Sequence, residues 1–148
     1  EMQAVIGLIQ LDRMEAWTSR RTRIAQAFAN ACAPFPALRV PVAPNHVTHA
    51  WYRFYAFVEP QALAAGWTRD RIIEAIIAEG VPCLHGSAPE VYLERAFDGT
   101  GWRPTERLPM ARELGETSLA LLVHPTLTDD EVERTCAAIS TVMRHATM

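Results

Sequence analysis

Lysine is missing from this chain, because all fourteen basic residues among its 148 residues are arginine. A Schiff base between an enzyme and a carbonyl compound needs a side-chain amine, which in proteins is supplied by lysine. These residues therefore cannot form a side-chain Schiff base, and chemistry that depends on one needs an amine from elsewhere.

Cysteine is scarce as well. The three cysteines, Cys32, Cys83 and Cys136, are far apart in the sequence, and no CxxC pair is present. Zinc ribbons and thioredoxin-like redox sites require such pairs, so both are excluded. The pattern favours three reduced thiols in a cytoplasmic protein.

Several nucleotide, metal and hydrolase motifs are also absent. The seven glycines are scattered, and no GxGxxG, GxxxxGK[ST], HExxH or GxSxG sequence occurs. His46 and His49 are three residues apart but lie in a proline-rich stretch and not on a helix, which favours surface histidines over a metal site. The sequence thus predicts no metal ligands, no complete catalytic site and no cofactor-binding residues of its own.

Excess charge of one sign and long apolar runs are lacking too. The net charge is only −3 and no basic block occurs, which argues against nucleic acid or an anionic membrane as a partner. No apolar run approaches the roughly 20 residues that a membrane-spanning helix needs.

The clearest feature present is a long helix predicted over Glu1–Ala31. A helix on a protein surface needs only one apolar stripe. Here apolar side chains point almost all round the axis: Val5, Ile6, Leu8, Ile9, Leu11 and Met14. We therefore expect this helix to be covered by something that precedes it, and the chain to be the C-terminal portion of a larger protein.

Strands and helices alternate after this helix. The predicted elements are a strand over His49–Glu59, a helix capped by Thr68 and ended by Gly80, an edge strand over Val81–Leu84, short helices over Val91–Phe97 and Met110–Glu116, a strand over Ser118–Val123, and a last helix behind a capping box that begins at Thr128. The predicted fold is α/β (α+β): a long N-terminal helix (residues 1–33) leads into a small two-layer lobe (residues 34–148) with about three strands packed by helices.

Polar candidates for a binding site fall in two places. Arg53 lies within the aromatic strand, where it either forms a structural ion pair, marks the strand end, or binds an anion. His85, Ser87, Glu90 and Tyr92 follow the edge strand, where loops often carry binding groups, although an ordinary surface loop is an equally open interpretation.

A series of stretches in the same order resembles one protein family. They are Glu1–Ala4 through Gln10-Leu11 with Arg20 and Arg21 beyond, Trp51–Phe54, Arg69-Asp70, Gly80–Pro82, Leu108–Leu114, and Ser118-Leu119 through His124–Thr128. Together they resemble the C-terminal part of sugar aminotransferases of the DegT/StrS type, which have the fold of aspartate aminotransferase (fold type I).

This resemblance implies a function for the parent protein. It would be a pyridoxal 5'-phosphate (PLP)-dependent aminotransferase that moves an amino group from an amino acid, with glutamate as the expected donor, to a keto-sugar nucleotide for polysaccharide biosynthesis. The family's Schiff-base lysine and PLP-binding residues lie in a large domain upstream, so this chain alone would bind no PLP and be inactive. A cytoplasmic homodimer is also implied.

One stretch departs from the family pattern. Many members have a Tyr-x-Pro-Leu-His sequence after the Gly-Val-Pro strand, whereas this chain has the shorter Cys83–Tyr92. The resemblance makes His85, Ser87, Glu90, Tyr92 and Arg53 the candidates for binding substrate. Two alternatives stay open: a PLP- or PMP-dependent sugar dehydratase or regulatory relative, and a non-enzymatic interaction module.

Overall fold

The predicted long helix is confirmed. The structure, a computed structural model that describes residues 1–148, places helix α1 at Met2–Cys32. Its C-terminal half is buried at Ile24, Ala25, Phe28 and Cys32. Its N-terminal half has no neighbour: the large apolar side chains from Met2 to Met14 are 48% to 78% exposed. No helix in the structure combines the length and the apolar character needed to cross a membrane.

A four-stranded antiparallel sheet lies beside α1. The strands are β1 (Leu38–Arg39), β2 (Arg53–Val58), β3 (Cys83–His85) and β4 (Ser118–Leu122), in the order β1-β2-β4-β3. The other helices are α2 (Arg69–Ala78), α3 (Pro109–Thr117) and α4 (Asp129–Ala146). β2 and β4 are the central strands of the sheet.

Local signals in the sequence fix where two helices begin. The Thr68 side chain accepts a hydrogen bond from the Arg71 N–H at the start of α2. At the start of α4, Thr128 and Glu131 form a complete capping box. Gly80, with a φ of +80°, follows α2 and turns the chain toward β3, in a backbone conformation that favours glycine. These caps agree with the sequence prediction.

The core is built on one face of the sheet only. The alternating residues Phe54, Ala56 and Val58 of β2 are buried on this face, where α1, α2 and α4 pack. Phe28 of α1 meets Phe54 edge-to-face, with ring centroids 5.7 Å apart. The opposite face is covered only in part, by α3 and by the loop after β3: Ser118 and Ala120 of β4 are buried there, whereas Arg53, Tyr55 and Phe57 of β2 stay half-buried.

Some boundaries differ from the prediction. The strand β1 was not predicted because its two residues lie between Pro36 and Pro41, which oppose regular structure. The helix predicted over Val91–Phe97 is instead two 3-10 turns, Val91–Leu93 and Arg95–Phe97, because Glu94 between them is extended. The division into residues 1–33 and 34–148 stays a prediction, and the C-terminal half of α1 packs into the same core as the lobe.

The exposed half of α1 yields a testable prediction. We expect this chain to self-associate in solution, since contiguous apolar surface of this kind seeks cover. The double substitution Leu8→Glu/Leu11→Glu should reduce the sedimentation-measured mass toward the monomer while changing the free energy of unfolding by only about 0.5 kcal/mol, because both side chains are exposed.

Val42→Glu is the matched control, because Val42 is 89% exposed but lies away from α1. It should leave the association unchanged. A wild-type chain that stays monomeric at high concentration would contradict the prediction.

Candidate functional site

The face of the sheet opposite the core carries the best candidate site. Arg53, Tyr55 and Phe57 alternate with the buried residues of β2 and point to this open face. Their partners across β4 are Leu122, Ala120 and Ser118, which share the same face because directly paired residues point the same way. We call this surface the open face.

Two shallow grooves meet on the open face. One has a volume of about 280 Å³ and the other of about 250 Å³, and both are lined by Tyr55 and Phe57. The first is completed by Pro41, Val42, Ala43, His49, Trp51 and Arg53, and the second by Ser87, Pro89, Leu114 and Ser118. No carboxylate lines either groove, so both favour ligands with apolar, hydroxyl or anionic groups.

A pair of hydroxyl groups lies where the second groove begins. The Tyr55 Oη and the Ser87 Oγ are 3.0 Å apart and hydrogen-bonded. Tyr55 comes from the middle of β2, whereas Ser87 comes from the loop after β3. Each hydroxyl can both donate and accept, so the pair can bind a ligand hydroxyl or carbonyl.

The backbone at Gly86 brings Ser87 to this position. The Gly86 N–H donates to the Ser118 carbonyl oxygen at 3.3 Å. A Cβ atom on Gly86 would overlap both Oγ and Cβ of Ser118. Only glycine allows the loop to approach β4 this closely, which explains the residue at this position.

Arg53 is the first residue of β2, and its side chain forms no ion pair or hydrogen bond. Its guanidinium is 5.4 Å from the centre of the Tyr52 ring. The structural ion pair considered from the sequence is therefore not formed. Arg53 is the strand-end residue that was the second interpretation, and anion binding stays a prediction. Among the carboxylate-free residues of its groove, Arg53 is a cation available to an anionic ligand.

Trp51, just before β2, has an unusual backbone. Its φ is +49°, which is uncommon for a residue with a side chain. Its N–H donates to Nδ1 of His49 at 2.9 Å, and the two rings lie 4.2 Å apart. This turn sets the aromatic wall of the groove beside Arg53.

His85 points away from the other candidates. It pairs with Leu119, whose side chain belongs to the core, so His85 lies on the helical side of β3. Its Nε2 is 3.2 Å from Oδ1 of Asp70 at the start of α2. Burial alone would raise the pKa of Asp70, but the hydrogen bond and charge of Arg69, followed by those of His85, lower it overall.

Glu90 and Tyr92 are engaged with protein groups. Glu90 accepts hydrogen bonds from Arg107 and from the Tyr92 hydroxyl, the latter at 2.6 Å. The hydrogen bonds of Arg107, and then of Tyr92, lower the pKa of Glu90 to about 2. The structure thus brings Ser87 and Arg53 to the open face, but it separates His85 from them and occupies Glu90 and Tyr92.

Sequence reasoning missed Tyr55 as a site residue. The signal was available, since Tyr55 alternates with Arg53 on the same side of the predicted strand. Its contact with Ser87, 32 residues away, was not predictable from the pattern. Burial raises the pKa of the Cys32 and Cys83 thiols to about 12, which leaves them poor nucleophiles. No group of three or more His, Cys, Asp or Glu side chains is arranged to hold a metal ion.

Comparison with known proteins identifies the relatives of this architecture. Residues 1–140 match the DegT/DnrJ/EryC1/StrS aminotransferase family. An aminotransferase from Psychrobacter cryohalolentis is 51% identical over 98% of this chain, with a TM-score of 0.92. DesV of S. venezuelae is 25% identical over 96% of the chain, with a TM-score of 0.82.

A third similar solved structure is the PLP form of its protein. The protein is Spr1654 from Streptococcus pneumoniae, assigned as a sugar aminotransferase, and it is 23% identical over 93% of this chain with a TM-score of 0.76. At that identity it supports the fold alone. The chain spans 39%, 36% and 34% of the lengths of these three proteins, in the order given.

The close approach at Gly86 can be tested by substitution. Gly86→Ala should lower the free energy of unfolding by roughly 1–3 kcal/mol, the usual cost of overpacking. Gly7→Ala is the control, because no atom lies within 4 Å of a Cβ placed on Gly7. This substitution should raise the free energy of unfolding by up to about 1 kcal/mol, since alanine favours a helix more than glycine does.

Chemical denaturation of both variants measures the difference. Adding Ser118→Gly to Gly86→Ala should recover part of the loss, since it removes the two atoms that overlap. If the loss of unfolding free energy in the double variant equals the sum of the losses in the two single variants, the contact between Gly86 and Ser118 is not the cause.

Proposed function

The chain belongs to the DegT/DnrJ/EryC1/StrS aminotransferase family, and we propose that it is the C-terminal domain of a PLP-dependent aminotransferase acting on a keto-sugar nucleotide. The observation that carries this proposal is the 51% identity to the Psychrobacter aminotransferase over almost the whole chain. The chain spans only 39% of that protein. We therefore propose that a separate large domain supplies the rest of the catalytic site.

The residues of this chain do not fit PLP as a covalent cofactor. The sequence has no lysine for a Schiff base and no glycine-rich loop for a phosphate group. PLP would supply the electron sink that lets an amino group move between substrates. Holding PLP would be the task of the large domain, and this chain alone would be inactive.

The open face would contact the sugar nucleotide. The hydroxyl pair of Tyr55 and Ser87 can hydrogen-bond a sugar hydroxyl, and sugars are bound in proteins chiefly through such polar contacts. Arg53 is an uncompensated cation in the adjoining groove, and a guanidinium matches the geometry of phosphate oxygens. The aromatic walls of the groove add apolar contact area.

His85 would take a secondary part. It is 65% exposed and can reach solvent beside Asp70, so it could contact a ligand only past the end of β3. Glu90 and Tyr92 would act on the shape of the loop that carries Ser87. This division follows from which polar atoms of each residue are already used inside the protein.

The N-terminal half of α1 would dock on the large domain. Its apolar side chains are exposed along about four turns and make no contact with the lobe. Burying such a surface is favourable by roughly 25 cal/mol per Å² of apolar area. We further propose that the complete protein is a cytoplasmic homodimer, as the family resemblance implies.

The full product of the native gene tests the function directly. We expect it to contain a lysine-bearing domain and, with PLP and glutamate, to convert keto-sugar nucleotides to amino-sugar nucleotides with formation of 2-oxoglutarate. Mass spectrometry of the sugar nucleotide measures the amino transfer. Loss of a sugar hydroxyl without amino transfer would indicate the dehydratase alternative, and no PLP dependence would favour an interaction module.

The isolated chain provides a second test. Mixed with PLP, it should show no internal-aldimine absorbance band, because it has no lysine. Borohydride reduction followed by peptide mapping should find no adduct on any side chain, with modification confined to the terminal amine. The full gene product is the positive control, and a side-chain adduct on the isolated chain would contradict the prediction.

A further inference from the structure

The segment from Leu84 to Glu116 is ordered without a core. No residue between Leu84 and Glu116 is buried, and none of the 22 residues of the core cluster belongs to this segment. Apolar side chains of this segment are at most half-buried, so apolar burial contributes less to its position than it does in the core. The position of the segment therefore depends mainly on hydrogen bonds, ion pairs and close packing at a few points.

Glu90 is the centre of the polar contacts in this segment. Its side chain is only 13% exposed, and both carboxylate oxygens accept hydrogen bonds from Arg107. Oε1 also accepts a hydrogen bond from the Tyr92 hydroxyl. Because both oxygens are occupied in this way, Glu90 has little capacity left to bind a ligand.

The contacts of Glu90 close a long loop of the chain, residues 91–107, which we call the excursion. The Tyr92 Oη accepts a hydrogen bond from the Leu108 N–H at 2.9 Å, and Leu108 is the residue just before α3. Arg107 precedes it in the sequence. Glu90, Tyr92 and Arg107 therefore join the beginning and the end of the excursion at its neck.

Inside the excursion, a second arginine organises the backbone. Arg103 donates hydrogen bonds to the carbonyl oxygens of Tyr92, Leu93 and Glu94, at 2.9 to 3.2 Å. The excursion thus has its own polar framework, and its only tie to the Ser87 loop through charged side chains is the pair of Glu90 with Arg107.

The loop that carries Ser87 is fixed at two points. At one end, Gly86 lies against Ser118. At the other, Pro89 packs against Gly115 of α3, where an added Cβ would be 3.2 Å from Pro89 Cγ, and Glu90 is bound to Arg107. Ser87 lies between the two points, with its hydroxyl directed at Tyr55.

We infer that Glu90 is a positioning residue that holds the Ser87 hydroxyl against Tyr55 for the sugar substrate. It acts through the loop and does not touch the substrate. This inference rests on the proposed function, because the ligand of the hydroxyl pair is the keto-sugar. It assigns the sugar half of the reaction, and not the amino-donor half, to this ion pair.

Transamination offers a readout that separates these roles, since its two half-reactions can be measured independently. In the full gene product, Glu90→Gln should lower kcat/KM for the keto-sugar roughly tenfold, about what the loss of a hydrogen bond to substrate produces. The half-reaction with the amino donor, followed by the absorbance change of the cofactor, should keep its wild-type rate. Glu113→Gln is the matched control, because Glu113 is an exposed carboxylate of α3 whose one ion pair, with Arg39, is long at 4.0 Å.

A double-mutant cycle decides whether Glu90 acts through Ser87. Ser87→Ala should lower kcat/KM for the keto-sugar by a similar factor. The double variant Glu90→Gln/Ser87→Ala should have a kcat/KM no lower than that of either single variant. Losses that multiply would mean that Glu90 acts independently of Ser87 and would overturn the inference, as would an equal loss in both half-reactions.

A structural measurement on the isolated chain makes the result independent of activity. Glu90→Gln should speed hydrogen exchange at the Leu108 amide, whose hydrogen bond depends on Tyr92, while amides of the core strands stay protected. Unchanged exchange at Leu108 would overturn the inference. A wild-type gene product with no activity on keto-sugars would instead refute the proposed function, so the two failures are distinguishable.

Discussion

Packing of three helices on one face of a four-stranded sheet is the constraint on which the rest of this structure depends. α1, α2 and α4 bury the alternating apolar residues of β2 and β4, with the contact of Phe28 and Phe54 near the middle. Because a strand places successive side chains on opposite faces, burial of Phe54, Ala56 and Val58 on the core face places Arg53, Tyr55 and Phe57 on the other face. The core and the candidate site are thus the two faces of the same strand.

The segment from Leu84 to Glu116, which has no buried residues, borders the open face. Exposed ion pairs each contribute little to stability, typically about 0–1 kcal/mol. Most ion pairs of this segment are exposed, so it can open locally at low cost while the core stays folded, whereas Glu90 is only 13% exposed. Such behaviour suits the substrate-contacting role that we propose for the Ser87 loop. Glycine at position 86, together with the pairing of Glu90 and Arg107, limits how far Ser87 can move.

Much of the fold was predictable because its signals are local. Thr68 and Thr128 cap their helices, and the aromatic and β-branched residues of the predicted strand over His49–Glu59 indicated β2. The site was less predictable because it depends on where one strand ends. His85 and Ser87 are two residues apart and would share a face of a continuous strand, but β3 ends at His85 and Gly86 redirects the chain. Likewise, the partners of Glu90 and of Ser87 are distant in the sequence, and no periodicity encodes them.

The setting of Arg53 supports the assignment of the open face. Six of the fourteen arginines pair with a carboxylate, and Arg53 is one of the eight that do not. What distinguishes Arg53 is its place in a groove that is lined by aromatic residues and by no carboxylate. A cation on an aromatic strand is costly to desolvate unless an anion compensates it when the surface is covered. Under the proposed function, a large domain that closes over the open face would leave this compensation to the phosphate groups of the sugar nucleotide, so closure and substrate binding would favour each other.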